Sequence, residues 1–543
     1  MRLTKLKKRT HEITFEKIGL FALLSVGAVF IPVITLPYVR DPFYLPKWHA
    51  LCLVVAISLF VGTLRANQIR FPRVGPLCVV LAIALVFATI FNFFLHQTYL
   101  LQERVLGIVS FATLVVLAYN VFHENRQAVA VFPKVVRVSL ATSTLLHVSI
   151  ILGIASDGFS IRYEDLPFGF GNSNILAEAL GLMLLFYGYY ALRIQKELAP
   201  WDWALFLVSL NILALTECRS VYLGLVGAIV YSRSGNKKWF VLTSLFLTLG
   251  LILATWGITR LSPSSTETVL DRSSLMRLEF WAETWKLFLD HGTGVGIGKF
   301  DFEFLPYSRG NHFEPVWDLL VVNPHNEFLR WLAESGLHFT LIFVIFFLTL
   351  AFKIWKNSDA TNREFFATVA IFILIQCAFQ FPFLNAFSSY FVALLWGFFL
   401  AQANQVPVVV VRAGWLTKGL GITVSLVLLT ATTTLVAAKY WDFNPSNLQD
   451  LERACRWDAT NWRTCLHHAY ATSEQGDLRM ARKLTEAELI KNPNNYVAIE
   501  FIRDIYFKLW DWEKACTEQY HLERLIPPSP ERRRVPLCDE MSP

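Results

Sequence analysis

The stretch Asn323-Pro324-His325-Asn326-Glu327-Phe328-Leu329-Arg330-Trp331-Leu332-Ala333-Glu334-Ser335-Gly336 runs directly into Leu337-His338-Phe339-Thr340-Leu341-Ile342-Phe343-Val344-Ile345-Phe346-Phe347-Leu348. The second part opens an apolar segment, 337–355, long enough to cross a bilayer. The first part reads as the start of a helix. Asn323 suits an N-cap, and Pro324 the first helical position, where no amide hydrogen is needed. His325 then falls in the first turn, among amides without intrahelical partners. The positive end of the helix dipole disfavours an imidazolium there, so a neutral, proton-accepting ring is expected. That suits a general base, and it equally suits a surface or capping histidine. The same helix start attracts anions.

Outward from this junction the chain is apolar. Of 543 residues 54% are hydrophobic and 17% charged, which excludes an ordinary soluble protein of this size and points to a polytopic membrane protein. The net charge of +7 does not indicate nucleic acid, because the cations gather in short loops between apolar segments. The basic start, Arg2 to Arg9, precedes an apolar run from Lys17 to about Leu36. That run is too long for a signal peptide and lacks a convincing cleavage site, so an uncleaved first helix with a cytoplasmic start is expected.

Apolar segments lie near 18–36, 48–64, 76–95, 104–122, 135–155, 174–193, 203–217, 219–232, 238–257, 337–355, 365–381, 387–403 and 417–438, about thirteen spans. The short pair 203–217 and 219–232 is either two tilted helices or a tight hairpin around Cys218-Arg219-Ser220. With the start inside, the inner loops hold Arg65, Arg70 and Arg73; Arg126, Lys134 and Arg137; Arg193 and Lys196; Arg233, Lys237 and Lys238; Lys353, Lys356 and Arg363; and Arg412 and Lys418. This alternation sets the orientation. The expectation is an all-α polytopic membrane bundle, with no alternating strand pattern.

The domains expected are a basic N-terminus, 1–17; a membrane domain, 18–438, with a long outer loop at 259–336; and an outer helical domain, 439–543. The loop contains an amphipathic helix from Leu275 to Leu289. The tail carries a repeat of about 34 residues, in which Asp477, Ala481 and Pro493 recur as Asp511, Ala515 and Pro527. This resembles the tetratricopeptide repeat, an ordinary pair of helical hairpins being the alternative. Cys455, Cys465, Cys516 and Cys538 lie in this exported tail, where disulfides of undetermined pairing are expected. Cys52, Cys78, Cys218 and Cys377 lie in or beside spans, and no cysteine has zinc-site spacing.

His325-Asn326-Glu327-Phe328-Leu329, followed by Glu334-Ser335-Gly336-Leu337 and closing a long outer loop, resembles the signature of the bacterial O-antigen ligase family. That superfamily also holds O-antigen polymerases and pilin-type O-oligosaccharyltransferases. Arg277-Leu278-Glu279-Phe280-Trp281, running to Gly294-Val295-Gly296-Ile297-Gly298-Lys299-Phe300, resembles its Arg-x-x-x-Trp helix and glycine-rich turn. Gly171-Asn172-Ser173-Asn174-Ile175-Leu176-Ala177 resembles its Asn-x-Asn segment. Thr216-Glu217-Cys218-Arg219-Ser220 resembles its Ser-x-Ser-Arg segment, with Glu217 and Cys218 departing from the usual small hydroxyl residues. The resemblance covers roughly residues 15 to 405, leaving the last span and the tail outside it.

It implies a membrane glycosyltransferase that uses no metal or cofactor. The donor is a glycan on polyprenyl diphosphate, with undecaprenyl as the expected lipid. His325 takes the acceptor hydroxyl proton. Arg277 and Arg219 meet the leaving diphosphate, for which the planar guanidinium fork is suited. Asn172, Asn174 and Asn326 are expected at the substrate. The blander readings are that Arg219 pairs with Glu217 or snorkels, that Arg277 pairs with Asp271, Glu279 or Glu283, and that Asn174 caps a helix. Trp281 and Trp285 are assigned only to packing.

Gly292 to Gly298 is not a nucleotide loop, since no strand precedes it and no Lys-Ser or Lys-Thr follows. A flexible turn at the cavity mouth is expected instead. The acceptor ranks as lipid A-core, in lipopolysaccharide assembly at the inner membrane, ahead of protein Ser or Thr and of a second glycan. A tail of helical repeats suggests a peptide or protein contact through 439–543. Two other classes compete. One is a metal-dependent transferase using Asp41, Asp301 and Glu303. The other is a lipid-linked sugar transporter, which calls for charged pairs in mid-span.

Overall fold

The computed structural model describes residues 15–32, 34, 45–65, 68–72, 102–156, 172–195, 199–233, 272–308, 323–403, 408–412, 414–459, 461–525 and 538. The described residues are almost wholly helical. In chain order the helices are α1 (Phe15–Phe30), α2 (Leu45–Arg65), α3 (Gln102–Glu124), α4 (Arg126–Ser156), α5 (Ser173–Tyr189), α6 (Pro200–Leu215), α7 (Arg219–Arg233), α8 (Arg272–Asp290), α9 (Phe300–Glu303), α10 (Glu327–Asn357), α11 (Ala360–Phe379), α12 (Ala386–Gln402) and α13 (Trp415–Phe443). The tail adds α14 (Leu448–Trp457), α15 (Trp462–Glu474), α16 (Leu478–Lys491), α17 (Tyr496–Lys508) and α18 (Trp512–Leu525).

Seven helices among the described residues are long and apolar enough to cross a membrane: α2, α3, α4, α5 with its extension to Gln195, α10, α11 and α13. Four more, α1, α6, α7 and α12, are apolar but shorter. The expected spans at 76–95 and 238–257, the basic segment 1–14 and Asp41 lie outside the described residues. The chain is an all-α integral membrane protein. One small departure from all-helix is an antiparallel pair of strands, β1 (Gln68–Pro72) and β2 (Val408–Arg412), in which Gln68 faces Arg412.

The bundle core is aromatic. Phe186 of α5 sits 5.4 Å from Phe132 of α4 and 4.9 Å from Phe365 of α11, between ring centroids. Phe391 and Phe398 of α12 close the same cluster. Where lipid tails are as apolar as the helices, such ring packing supplies contact that hydrophobicity alone does not.

The ion pairs of the membrane helices lie at their ends. At one, Arg70 pairs with Glu124, Arg137 with Asp202 at 2.8 Å, and Arg193 with Glu364, while Lys418 donates to the Leu64 carbonyl. These are the cations that the loop count places together. The other end gathers the starts of α2 and α5, the turn between α6 and α7, residues 323–336 and the segment 380–385. Trp48 of α2 donates to the Leu384 carbonyl there.

The short pair is two helices joined by the turn Thr216–Cys218. They pack on different neighbours, α6 against α4 and α5, α7 against α11 and α5. In the tail, α15 and α16 form one hairpin and α17 and α18 a second, each helix starting 34 residues after its counterpart. The recurring sequence positions do equivalent work. Asp477 and Asp511 accept from the backbone amides of Met480 and Lys514 at the helix starts, and Ala481 and Ala515 are fully buried. Cys455 is bonded to Cys465 and Cys516 to Cys538, while Cys52, Cys218 and Cys377 are buried outside these disulfides.

Candidate functional site

The helix carrying the histidine does not begin where the sequence suggests. Its cap is Asn326, whose side chain accepts from Leu329 N at 3.0 Å, and Glu327 is its first residue. Asn323 instead folds a local turn, its Oδ1 accepting from His325 N at 3.0 Å. His325 therefore stands just ahead of the helix, with φ of 51°. The physical reason is competition between two asparagines. Proline holds the residue before it away from helical dihedrals, so Asn323 makes an Asx turn and leaves the cap to Asn326.

The imidazole is neutral for another reason than the one expected from a first-turn position. Its pKa is pulled down to about 4, first by burial and second by the Arg277 guanidinium, with the Gln380 amide acting in the opposite sense. Both main effects disfavour the charged ring. The ring packs 5.4 Å from Phe381, and Nδ1 is enclosed without a hydrogen-bond partner among the described residues.

Arg277 and Trp281 lie four apart on α8 and so share a face. Trp281 Nε1 donates to the Pro324 carbonyl at 2.9 Å and its ring lies 5.8 Å from Phe379. One helix face thus brings a cation to His325 and a hydrogen-bond donor to the turn that holds it. Trp281 is more than packing, whereas Trp285 is exposed beside Phe288.

Arg219 is the first residue of α7 and its side chain is exposed. Its neighbours tie it to the site. Gln380 Nε2 donates to Ser220 Oγ at 3.2 Å and reaches Cys218 Sγ at 3.8 Å, and Gln376 Nε2 donates to the Ser220 carbonyl at 2.9 Å. Arg277 acts electrostatically on Cys218 as well as on His325. Gln380 is therefore the side chain shared by the Arg219 turn and the histidine. A glutamine near the end of an apolar helix carries no sequence signal for that role.

Asn172 caps α5, accepting from Asn174 N at 2.8 Å, so the cap expected of Asn174 falls to Asn172. Beneath His325, Arg330 bridges Glu327 and Glu334, the latter at 3.0 Å, and all three are buried. The spacing of these charges, three and four residues apart beside an apolar run, was the available signal.

Glycines 292–298 are not a flexible mouth. Val295 N donates to the Ala333 carbonyl and Gly296 N to the Glu334 carbonyl, each at 2.9 Å, and Leu337 N donates to the Gly292 carbonyl at 3.2 Å. Helix α10 breaks at Gly336, where φ is 76° and ψ 174°. The turn satisfies carbonyls that the break strands. Side chains are excluded: a Cβ on Gly336 would lie 2.4 Å from the Thr293 carbonyl, and one on Gly294 2.5 Å from the Glu334 carbonyl oxygen.

For the metal alternative, Asp301 accepts from Phe302 N and Glu303 from Asn494. Among the described residues no group of three or more His, Cys, Asp or Glu side chains is placed to hold a metal ion.

With His325, Arg277 and the Arg219 turn gathered at one end of a membrane bundle, residues 204–344 match the family model described as O-antigen ligase. That stretch resembles an O-antigen ligase domain. The matched segment spans α6 to the middle of α10 and includes all three of those residues. No curated protein matches the chain. The likeness supports a role in membrane glycan transfer.

Proposed function

We propose that this protein moves a glycan from polyprenyl diphosphate, with undecaprenyl as the lipid, to an acceptor hydroxyl on the periplasmic side of the inner membrane. The observation that carries this reading is an enclosed imidazole in a turn held by Trp281, which shares its helix face with Arg277. His325 removes the hydroxyl proton as oxygen attacks the anomeric carbon. The bond to the diphosphate breaks, and its electrons leave with the phosphate oxygen. Arg277, joined by exposed Arg219, stabilises that growing charge without a metal. Asn172, Asn174 and Asn326 stand at the helix starts facing this end, where sugar hydroxyls would be held.

The N-terminus is cytoplasmic in this reading, and the loop and tail are periplasmic. Contacts between tail and loop, described below, support one compartment for both. Lipid A-core is the first acceptor. A protein Ser or Thr is the second, favoured by a helical tail resting on the loop.

The test incubates purified protein with labelled polyprenyl-diphosphate glycan and either lipid A-core or a periplasmic protein. Label should pass to one of them, and His325→Ala and Arg277→Ala should each lower transfer by about 10²-fold or more at unchanged folding. Full turnover in His325→Ala removes the base assignment. Label on protein alone selects the second acceptor.

A further inference from the structure

The tail touches the loop that carries the site. Trp462 of α15 packs edge-on against Phe302 of α9, with centroids 5.3 Å apart. Lys299 Nζ donates to the Lys491 carbonyl at 3.1 Å, and Asn494 Nδ2 donates to Glu303 Oε2 at 3.1 Å. Lys491 Nζ turns back to the Ala459 carbonyl at 2.9 Å, beside the turn that the Cys455–Cys465 disulfide closes.

The loop residues in these contacts fall within 299–303, the last tail helix α18 also approaches Leu305–Tyr307, and the stretch 299–304 is anchored inward. Phe300 and Phe304 are buried with Phe280 and Leu287 of α8, Val295 of the glycine turn and Ala333 of α10. The segment 299–304 is thus gripped on one side by the tail and on the other by the helices that carry Arg277 and follow His325.

We infer that the C-terminal unit positions the transfer site, with Phe302, Glu303, Trp462 and Asn494 as positioning residues that hold 292–304 against 327–335. The inference rests on the transfer reading above. Its physical basis is the break at Gly336. The segment 327–335 is bent away from the membrane helix that follows and touches it through Trp331 on Phe343, with centroids 4.3 Å apart, so continuity of the helix alone does not fix its direction. Its orientation comes from the groups packed around it. At its far end those groups are the glycine turn and the cluster beneath it, and the tail covers that cluster's outer side.

The experiment uses the full-length protein. The double variant Trp462→Ala/Asn494→Ala is compared with wild type and with the conservative Trp462→Phe and Glu303→Gln, in which a ring and an acceptor oxygen remain. The readouts are kcat and KM for labelled donor and acceptor, the acid limb of the pH profile, and amide exchange over 292–304 and 327–336. In the double variant kcat should fall roughly 10- to 100-fold with donor KM changed by less than about twofold. The groups facing the ring are Arg277 from α8, and Gln380 and Phe381 from the segment after α11. As they separate, the acid limb should rise from near 4 toward the ordinary histidine value of about 6.5. Amide exchange in 327–336 should quicken, and both conservative variants should stay near wild type.

Unchanged exchange with unchanged kcat overturns the inference. So does a loss confined to acceptor KM, which makes the tail an acceptor-binding surface instead. If the wild type transfers nothing, the proposed function fails, and exchange in 327–336 alone decides whether the tail holds the segment.

Discussion

The two ends of the segment 327–335 are held by different means. At the leading end the holders are side chains: the Asn323 carboxamide, the Trp281 indole, the Asn326 cap and the Gln380 amide beside the ring. At the trailing end they are backbone groups, Val295 N, Gly296 N and the Gly292 carbonyl, at a contact that admits no Cβ. A left-handed residue stands at each end, a histidine at one and a glycine at the other. Glycine takes that conformation freely, whereas another residue pays about 1–2 kcal/mol. The strain is placed at the end that bears chemistry, and the strain-free residue at the end that bears only geometry.

Exchanging the two residue types breaks this comparison most severely. His325→Gly relieves the left-handed strain but empties the space the ring fills against Phe381, so the two effects offset and the melting temperature should change little while transfer falls by about 10²- to 10⁴-fold. Gly336→Ala strains the fold instead. It adds a methyl 2.4 Å from the Thr293 carbonyl at a φ of 76°. A loss of about 1–3 kcal/mol or more is expected, seen as a lower melting temperature in detergent. If Gly336→Ala melts like wild type, the trailing end is not rigid and the contrast is lost.

The membrane character, the amphipathic loop helix and the positions of the helical hairpins were legible from apolar runs, charge alternation and a repeat of 34 residues. So were Arg277 and His325 as neighbours in space, through the resemblance of their segments. Three things were not. Asn323 and Asn326 both look like caps, and local sequence does not say which wins. The glycine turn looked mobile because its partners, the Ala333 and Glu334 carbonyls, are backbone groups some forty residues away that leave no mark on the sequence. Gln380 is one glutamine in an apolar helix end, and only tertiary placement gives it His325 and Ser220 as neighbours.

A pH series sharpens the leading end. A histidine whose pKa is lowered to about 4 stays neutral above that value, so the wild-type acid limb should fall only as pH drops through about 4. Arg277→Gln removes the second cause of the lowering and leaves burial, the first. Its residual activity should show an acid limb moved upward, still short of the ordinary histidine value of about 6.5. The profile is read from kcat/KM with labelled donor between pH 3.5 and 8. A limb that does not move would mean that the guanidinium does not act on the ring.

The smallest effect tests whether side-chain holders at the leading end are individually dispensable. Trp281→Phe keeps the ring against Phe379 and removes only the N–H that meets the Pro324 carbonyl. A hydrogen bond of this kind contributes about 0.5–1.5 kcal/mol, so stability should drop by little more than that. Position matters more than stability here, because Pro324 is bonded directly to His325. A drift of the turn by a fraction of an ångström carries the ring away from Arg277, and about a tenfold loss in kcat at unchanged donor KM is expected. The same variant should leave amide exchange at Val295 and Gly296 untouched, since those groups belong to the trailing end. If Trp281→Phe loosens Val295 and Gly296 as well, the two ends move as one body and their different construction has no separate consequence.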